Sequence, residues 1–352
     1  MDKAELVNTV KGGGDLPLIN DIDLSANDYQ GADLSGGTFN KVNFSKANLN
    51  GSNLKECNFI DCDFTAAKLD NTDMTLSSFV GSNLSQSSIR ESKILYTSYI
   101  DCLFASADMS LCEIKNANFI NPDMTAVKMT SVRTENMTMI SAKLENADFS
   151  GSQQYRSNFL EPELRGIKFD QAVLDTALFF KPDFSQFDFT VGKFYMCQFN
   201  SANLEQANFA GMEISQSGFM EANLTSADFS HAKANNCLFI KAKAKGTKFV
   251  KADLTQCLFN EGDFSLCDFT QTKMEQAQFV KANCEGSLFT KADLTYVDFS
   301  HANLEAALID SAELYRANLH EIMDERSIWD GSNRSMALQT DEKKAKAEKF
   351  AS

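Results

Sequence analysis

The chain has 352 residues, 43% hydrophobic and 23% charged, enough apolar content for a sizeable core and too much for a disordered polymer. Its 48 acidic against 33 basic side chains leave a formal charge of −15, a poor balance for gripping nucleic-acid phosphates. No run approaches the roughly eighteen apolar residues of a spanning helix, and the acids and glycines between Met1 and Gly14 leave no apolar stretch for a secretory leader.

In chain order, Asp2 to Lys11 reads as a short helix stopped by Gly12-Gly13-Gly14, a cap within residues 1–21. A different pattern then begins. Large apolar residues recur at every fifth position, from Leu24, Tyr29, Leu34, Phe39 and Phe44 through to Leu304, Ile309, Leu314 and Leu319, and the phase never slips. Two residues before many of them stands a small side chain, as at Ala32, Ala47, Ser52, Ala107, Ala202, Ala252 and Ala302. Neither a helical period of about 3.6 nor plain strand alternation produces this spacing. Five residues fit a short strand plus a corner, with the small and the large residue inward and the one between them outward. Corners this frequent wind the chain into a solenoid.

Column identity sets the size of a coil. Positions 39, 59, 79, 119, 159, 179, 199, 219, 239, 259, 279 and 299 are all Phe, with Tyr99 and Met139 completing the run. A second column, ten residues out of phase, runs from Phe149 through Phe169, Phe189, Phe209 and onward to Phe289. Residues twenty apart therefore stack, and the two aromatic columns belong on opposite walls of a four-sided coil. The motif Ala32-Asp33-Leu34-Ser35-Gly36, repeated as Ala252-Asp253-Leu254-Thr255-Gln256, resembles the pentapeptide-repeat family. The resemblance implies an all-β fold, a right-handed quadrilateral parallel β-helix over residues 22–320. About fifteen coils at about 4.8 Å per strand would make a rod of about 70 Å.

The nine cysteines obey the frame. Cys57, Cys62, Cys102, Cys112, Cys197, Cys237, Cys257 and Cys267 take the small inward slot and Cys284 the large one, which suits free thiols used as small hydrophobes in a reducing cytoplasm. Five large slots are filled against the rule, by Thr134, Gln154, Ala234, Ala244 and Cys284; the stacked pair Thr134 and Gln154 is expected to hydrogen-bond across adjacent coils. Pro122, Pro162 and Pro182 share one small-slot column, where ladder bonding should be sparse. Outward charges alternate in sign along Asp73, Lys93, Glu113 and Arg133, and along Lys193, Glu213, Lys233, Asp253, Lys273 and Asp293, as expected of cross-strand pairs that fix register. Residues 321–352 are expected to close the solenoid, with Trp329 over the last coil and a short charged helix or frayed tail from Asp341 to Phe350.

No catalytic constellation stands out. His231, His301 and His320 fall in different columns and are not expected to cluster, and no phosphate loop or nucleophile motif occurs. The reading is of a protein that is not an enzyme, with no catalytic, cofactor or metal residues and no deep pocket. One outward column breaks the polar rule: Ile60, Val80, Ile100, Ile120, Ile140, Leu160, Phe180, Met220, Ile240 and Val280, interrupted by Asn200 and Asn260. Such a strip exceeds what a monomer usually exposes, and it is the expected binding face for a protein partner or a second copy, as in a homodimer. Tyr155, Tyr195 and Tyr315, on another wall, would add an aromatic contact.

The resulting expectation is a cytoplasmic protein-interaction scaffold or adaptor that touches neither nucleic acid nor membrane. The run Ala317-Asn318-Leu319-His320 with Trp329-Asp330-Gly331 loosely resembles family members associated with type VI secretion, which implies a role in effector loading. The alternative implied by the family resemblance is a DNA mimic that binds a type II topoisomerase (gyrase) and confers fluoroquinolone resistance. Against it, the acids are spread evenly and interleaved with lysines.

Overall fold

Two residues decide each corner of this chain, and the backbone shows how. The structure, a computed structural model, describes residues 1–12 and 18–351, apart from the side chains of the last two. In it, every residue of the slot that begins at Asp21 and recurs each fifth position to Gly331 has positive φ, with the single exception of Val191. Most of these residues are not glycine, and the left-handed region costs an L-residue about 1–2 kcal/mol. The cost is offset because the N–H of that residue donates to the coil above, as Asp21 does to the Asn40 carbonyl (2.9 Å), Ala26 to Ser45 (2.9 Å) and Glu56 to Thr75 (2.9 Å).

The chain divides into two compact units, Met1–Pro182 and Asp183–Ser352. The first opens with helix α1 (Lys3–Gly12), which buries Leu6 and Val10. Gly13 and Gly14, expected to stop that helix, lie outside the described residues. Three-residue strands follow: β1 (Leu18–Asn20), β2 (Thr38–Asn40), β3 (Asn58–Ile60), β4 (Ser78–Val80), β5 (Lys93–Leu95), β6 (Ser98–Ile100) and β7 (Glu113–Lys115). After them come β8 (Asn118–Ile120), β9 (Arg133–Glu135), β10 (Thr138–Ile140), β11 (Gln153–Tyr155), β12 (Asn158–Leu160), β13 (Val173–Asp175) and β14 (Leu178–Phe180). One wall is the parallel sheet β1-β2-β3-β4-β6-β8-β10-β12-β14 and another runs β5-β7-β9-β11-β13, every strand in register with a residue twenty positions away. The remaining two walls are held by isolated parallel bridges with the same step, such as Asp23↔Asn43 and Asp28↔Asn48.

This is the expected all-β parallel solenoid with four walls. The coil count differs from the expected fifteen or so: the continuous sheet makes about nine turns. Among the described residues of the second unit only β15 (Lys193–Tyr195) is a full strand, and the twenty-residue step is otherwise carried by single bridges, continuing to Asn318↔Leu338. The difference lies at the corners. Where a two-residue turn closes on itself, as Ala202 N–H does on the Phe199 carbonyl (3.1 Å), only one residue per side is left to pair with the next coil.

The phenylalanine columns are stacked. Phe59 and Phe79 lie 4.6 Å apart and Tyr99 and Phe119 4.9 Å in the first unit; Phe239 and Phe259 lie 5.0 Å apart in the second. The two columns meet edge-on in the interior, as at Phe219 and Phe229 (5.4 Å, 88°). Small-slot hydroxyls and thiols are not merely small. They donate to the carbonyl twenty-three residues earlier, as Ser52 to Tyr29, Cys57 to Leu34 and Thr247 to Leu224. The prolines sit where nothing is lost: the N–H groups of Val42, Cys102 and Ala142 in their column make no backbone bond among the described residues, whereas the Pro122 carbonyl still accepts from Lys143 (3.0 Å).

Geometry slips once although the sequence frame does not. At Val191 a 3-10 turn (Phe189–Val191) replaces the usual corner, closed by Gly192 N–H on the Phe189 carbonyl. Valine is a poor left-handed residue, and Phe187 crowds Phe184 and Phe189 (5.2 and 4.8 Å) from a slot built for a small side chain. The second unit ends in a 3-10 turn (Arg334–Met336) and helix α2 (Glu342–Ala351). Trp329 is half-buried, donates to Ser327 (2.7 Å) and lies under the Arg334 guanidinium (4.2 Å). Among the described residues no helix is long and apolar enough to cross a membrane.

Candidate interaction surfaces

The uncharged wall comes first. Its strands read Leu-Ile-Asn, Thr-Phe-Asn, Asn-Phe-Ile, Ser-Phe-Val, Ser-Tyr-Ile, Asn-Phe-Ile, Thr-Met-Ile, Asn-Phe-Leu and Leu-Phe-Phe, with no charged residue in any of them. The central residue points into the core. The first and third face out, so a row of small polar groups (Thr38, Asn58, Ser78, Ser98, Asn118, Thr138, Asn158) runs beside Ile60, Val80, Ile100, Ile120, Ile140, Leu160 and Phe180. Ile60 is 39% exposed and the others are half-buried. Phe180 carries the Lys181 ammonium 5.0 Å from its ring, and Lys181 is paired with Glu161 (2.9 Å). These seven of the ten strip residues thus share one sheet. Met220, Ile240 and Val280 lie in the second unit outside any full strand; Met220 is exposed, and Val280 borders a hollow shared with Lys344 and Glu348 of α2.

The second stranded wall is its opposite in charge. Its outward rows are Lys93, Glu113, Arg133, Gln153 and Val173, and Leu95, Lys115, Glu135, Tyr155 and Asp175. Here long side chains wall in an open groove of about 1040 Å³. One side of its rim is low, since Ser131 and Gly151 occupy the corner slot there. The expected cross-strand ion pairs do not form among the described residues of this wall: Glu113 pairs within its own strand to Lys115 (2.8 Å), which raises the lysine's pKa, and Lys93, Arg133 and Glu135 have no ion-pair partner. In the other column only Lys233–Glu213 (2.6 Å) forms. Tyr155 stacks under Arg156 (4.6 Å), whereas Tyr315 is in the second unit against Tyr296 (5.7 Å), as is Tyr195 on β15.

Beneath this groove the two polar core residues do not bond each other as expected. Thr134 Oγ1 meets Ser157 Oγ at 2.7 Å, Gln154 Nε2 donates to Ser152 Oγ at 3.1 Å, and Gln154 Oε1 is buried with no partner. Each polar group bonds a small-slot serine instead.

The histidines contradict the sequence reading. His301 and His320 lie 5.3 Å apart edge to face, and both face Glu348 of α2, with His320 Nε2 at 3.1 Å and His301 Nε2 at 3.4 Å from its Oε2. The twenty-residue step already sets His320 one coil from His301, whose N–H donates to the His320 carbonyl (2.9 Å), so that pair was readable from the register; Glu348 was not, because α2 folds back onto the coil from outside the repeat frame. The hydrogen bond from His320 holds the Glu348 carboxyl below its usual range, assisted by the charges of His301 and Lys344. Two imidazoles and a carboxylate form a metal-capable set. The Asp341 N–H, however, donates to His320 Nδ1 (3.2 Å), so the proton of the neutral ring sits on Nε2 and donates to Glu348. Ligation through Nε2 would require that proton to leave and Nδ1 to be protonated against a backbone N–H. The arrangement suits a clamp on α2 better than a metal centre.

The thiols are buried and free. Burial pushes Cys57 and Cys112 up to about 12 and Cys62 and Cys102 to about 11, so none of these is a nucleophile near neutral pH.

The pentapeptide repeat region model matches residues 22–99 and 192–265, and the model of eight pentapeptide repeats matches 247–286, 267–308 and 287–322, together more than half of the chain. The chain belongs to the pentapeptide-repeat family. Among curated proteins no sequence matches this pentapeptide-repeat protein. Solved structures similar to it include a trypsin-treated QnrB1, described as a plasmid-mediated fluoroquinolone resistance protein, at 14% identity over 57% of this chain and 88% of that one (TM-score 0.35). A pentapeptide-repeat protein of the Arabidopsis thaliana thylakoid lumen is 27% identical over 28% and 71% (TM-score 0.23). HetL, described as involved in heterocyst differentiation regulation in the cyanobacterium Nostoc, is 14% identical over 97% and 98% (TM-score 0.16). At such TM-scores these likenesses carry no argument about what this pentapeptide-repeat protein binds.

Proposed function

We propose that this protein is a non-enzymatic interaction scaffold that binds a protein partner along the apolar row from Ile60 to Phe180, with Met220, Ile240 and Val280 as lesser contacts in the second unit. One observation carries the reading: nine consecutive strands of one wall contain no charged residue, and the outward row of seven of them is aliphatic or aromatic. A solvated wall needs no such row, and a flat apolar strip with a polar margin has the anatomy of a protein interface. The buried thiols suit a reducing compartment, in keeping with a cytoplasmic setting. Effector loading in type VI secretion is a narrower form of this reading. It rests on the C-terminal likeness alone, and the family and structural matches add nothing to it.

The DNA-mimic alternative is not favoured. The charged stranded wall carries Lys93, Lys115 and Arg133 among Glu113, Glu135 and Asp175, so its sign alternates where a phosphate line would be uniform. The test is capture of partners from native lysate by the tagged protein and by an Ile100→Asp/Ile120→Asp/Ile140→Asp variant with unchanged circular dichroism. Loss of the partners common to replicate captures is expected. Full retention by the folded variant would sink the strip as the interface.

A further inference from the structure

The groove wall is unexplained by that reading, and its charge pattern has a symmetry of its own. The registers place Lys93, Glu113, Arg133 and Gln153 in one outward row and Leu95, Lys115, Glu135 and Tyr155 in the next. A two-fold axis lying in the wall, parallel to the strands and midway between β7 and β9, keeps each row on itself and reverses the strand order. It sets Glu113 opposite Arg133 of a second copy and Lys115 opposite Glu135, each twice. It also sets Leu95 opposite Tyr155 and Lys93 opposite Gln153. No like charges face each other within these four strands.

We propose that this wall docks a second copy of the same chain about that axis. Two of the charged groups that this axis sets against opposite charge, Arg133 and Glu135, have no ion-pair partner among the described residues of their own chain, although oppositely charged neighbours stand one strand away. Their side chains border an open groove of about 1040 Å³, which the long side chains of a facing copy would fill. A two-fold axis along the stack of coils is the competing arrangement. It also opposes unlike charges, but it sets Leu95 on Lys93 and Val173 on Asp175, whereas the axis parallel to the strands puts Leu95 on the 38%-exposed Tyr155, apolar on aromatic. Five strands at about 4.8 Å give a patch about 24 Å tall, smaller than a permanent interface, so the association is weak and salt-sensitive.

The measurement is sedimentation equilibrium of the full chain from micromolar to sub-millimolar concentration at low and high salt. Wild type should form dimers that weaken as salt rises. Glu113→Arg and Arg133→Glu, each checked for an unchanged urea midpoint, should each weaken the dimer by about tenfold or more, because the reversal opposes like charges twice. The double variant E113R/R133E should recover association to within about threefold of wild type. The strip variant I100D/I120D/I140D should dimerise as wild type does, which separates this surface from the partner-binding row. A chain that stays monomeric throughout, or single reversals without effect, would overturn the proposal. So would a double variant weaker than either single, the outcome that the axis along the stack requires.

Discussion

β8 reads Asn-Phe-Ile and β7 reads Glu-Ile-Lys, yet both are three-residue strands of the same coil, made by the same hydrogen bonds to the coils on either side. The two walls of the first unit differ in nearly every outward side chain and hardly at all in backbone. One is uncharged outside, an apolar row beside a small polar one, and mainly aromatic inside. The other is charged outside, aliphatic inside, and interrupted by Thr134 and Gln154. The inward slot and the left-handed corner therefore define the solenoid, and the outward rows are left free to carry recognition. If that is right, inward changes should cost stability on either wall and outward changes should cost association only.

The largest expected effect is on the aromatic side. Phe79 is fully buried and stacked between Phe59 (4.6 Å) and Tyr99 (4.8 Å). Phe79→Ala should destabilise the first unit by about 3–5 kcal/mol in urea denaturation, from lost transfer energy and the cavity left behind. Ile114→Ala, the matching inward position of β7, should cost about 2–4 kcal/mol, since it deletes fewer atoms from an unstacked column. An Ile114→Ala variant clearly less stable than Phe79→Ala would reverse the ranking of the walls.

The next effect tests what the walls share. Cys57 leads into β3 and Cys112 into β7; each thiol donates to a carbonyl of the preceding coil, and each is pushed up to about 12 by burial. An unfolded thiol titrates near about 8.5. Below that pH both states hold the proton and the thiol's contribution is intact. Above it only the unfolded chain ionises, so stability falls until the folded value is reached, by about 1.4 kcal/mol per pH unit for each thiol. Between pH 8 and pH 10, Cys57→Ala and Cys112→Ala should each lose about 2 kcal/mol less than wild type, and by equal amounts. A difference between the two variants would show that the outward charge of a wall reaches its interior.

Much of this was legible in the sequence because the solenoid writes its geometry at a fixed period. The stacked Phe59, Phe79 and Phe119 and the row from Ile60 to Phe180 both follow from residue number alone. The left-handed slot was equally periodic, and its signal was present: Gly31, Gly36, Gly51, Asn71 and Asn116 recur there, and Thr176 and Val191 are its only β-branched residues. It passes unnoticed when attention rests on the apolar frame. The twenty-residue step does bring His301 and His320 together, but Glu348, which completes the clamp, lay beyond reach for a different reason, since it depends on where α2 lands outside the repeat. The ion pairs expected along Lys93, Glu113 and Arg133 failed because register fixes only Cα positions; the ends of long, solvated side chains choose nearer or freer partners, as Lys115 does with Glu113.

The smallest of these effects concerns one of the two inward flaws of the charged wall. Gln154 is 2% exposed, and its neighbour in the column, Leu174, shows that leucine fits the site. Gln154→Leu gives up one hydrogen bond, from Nε2 to Ser152, and removes an acceptor, Oε1, that has no partner at all. Leaving a buried acceptor unsatisfied costs about 1–3 kcal/mol, while a neutral hydrogen bond contributes about 1 kcal/mol net, so the substitution should stabilise the protein by about 1 kcal/mol. The urea midpoint measures it. A fall in stability would mean that Oε1 is satisfied by a buried water, which a leucine would strand. In that case the charged wall would owe its polar core to solvation, and its likeness to the aromatic wall would end at the backbone.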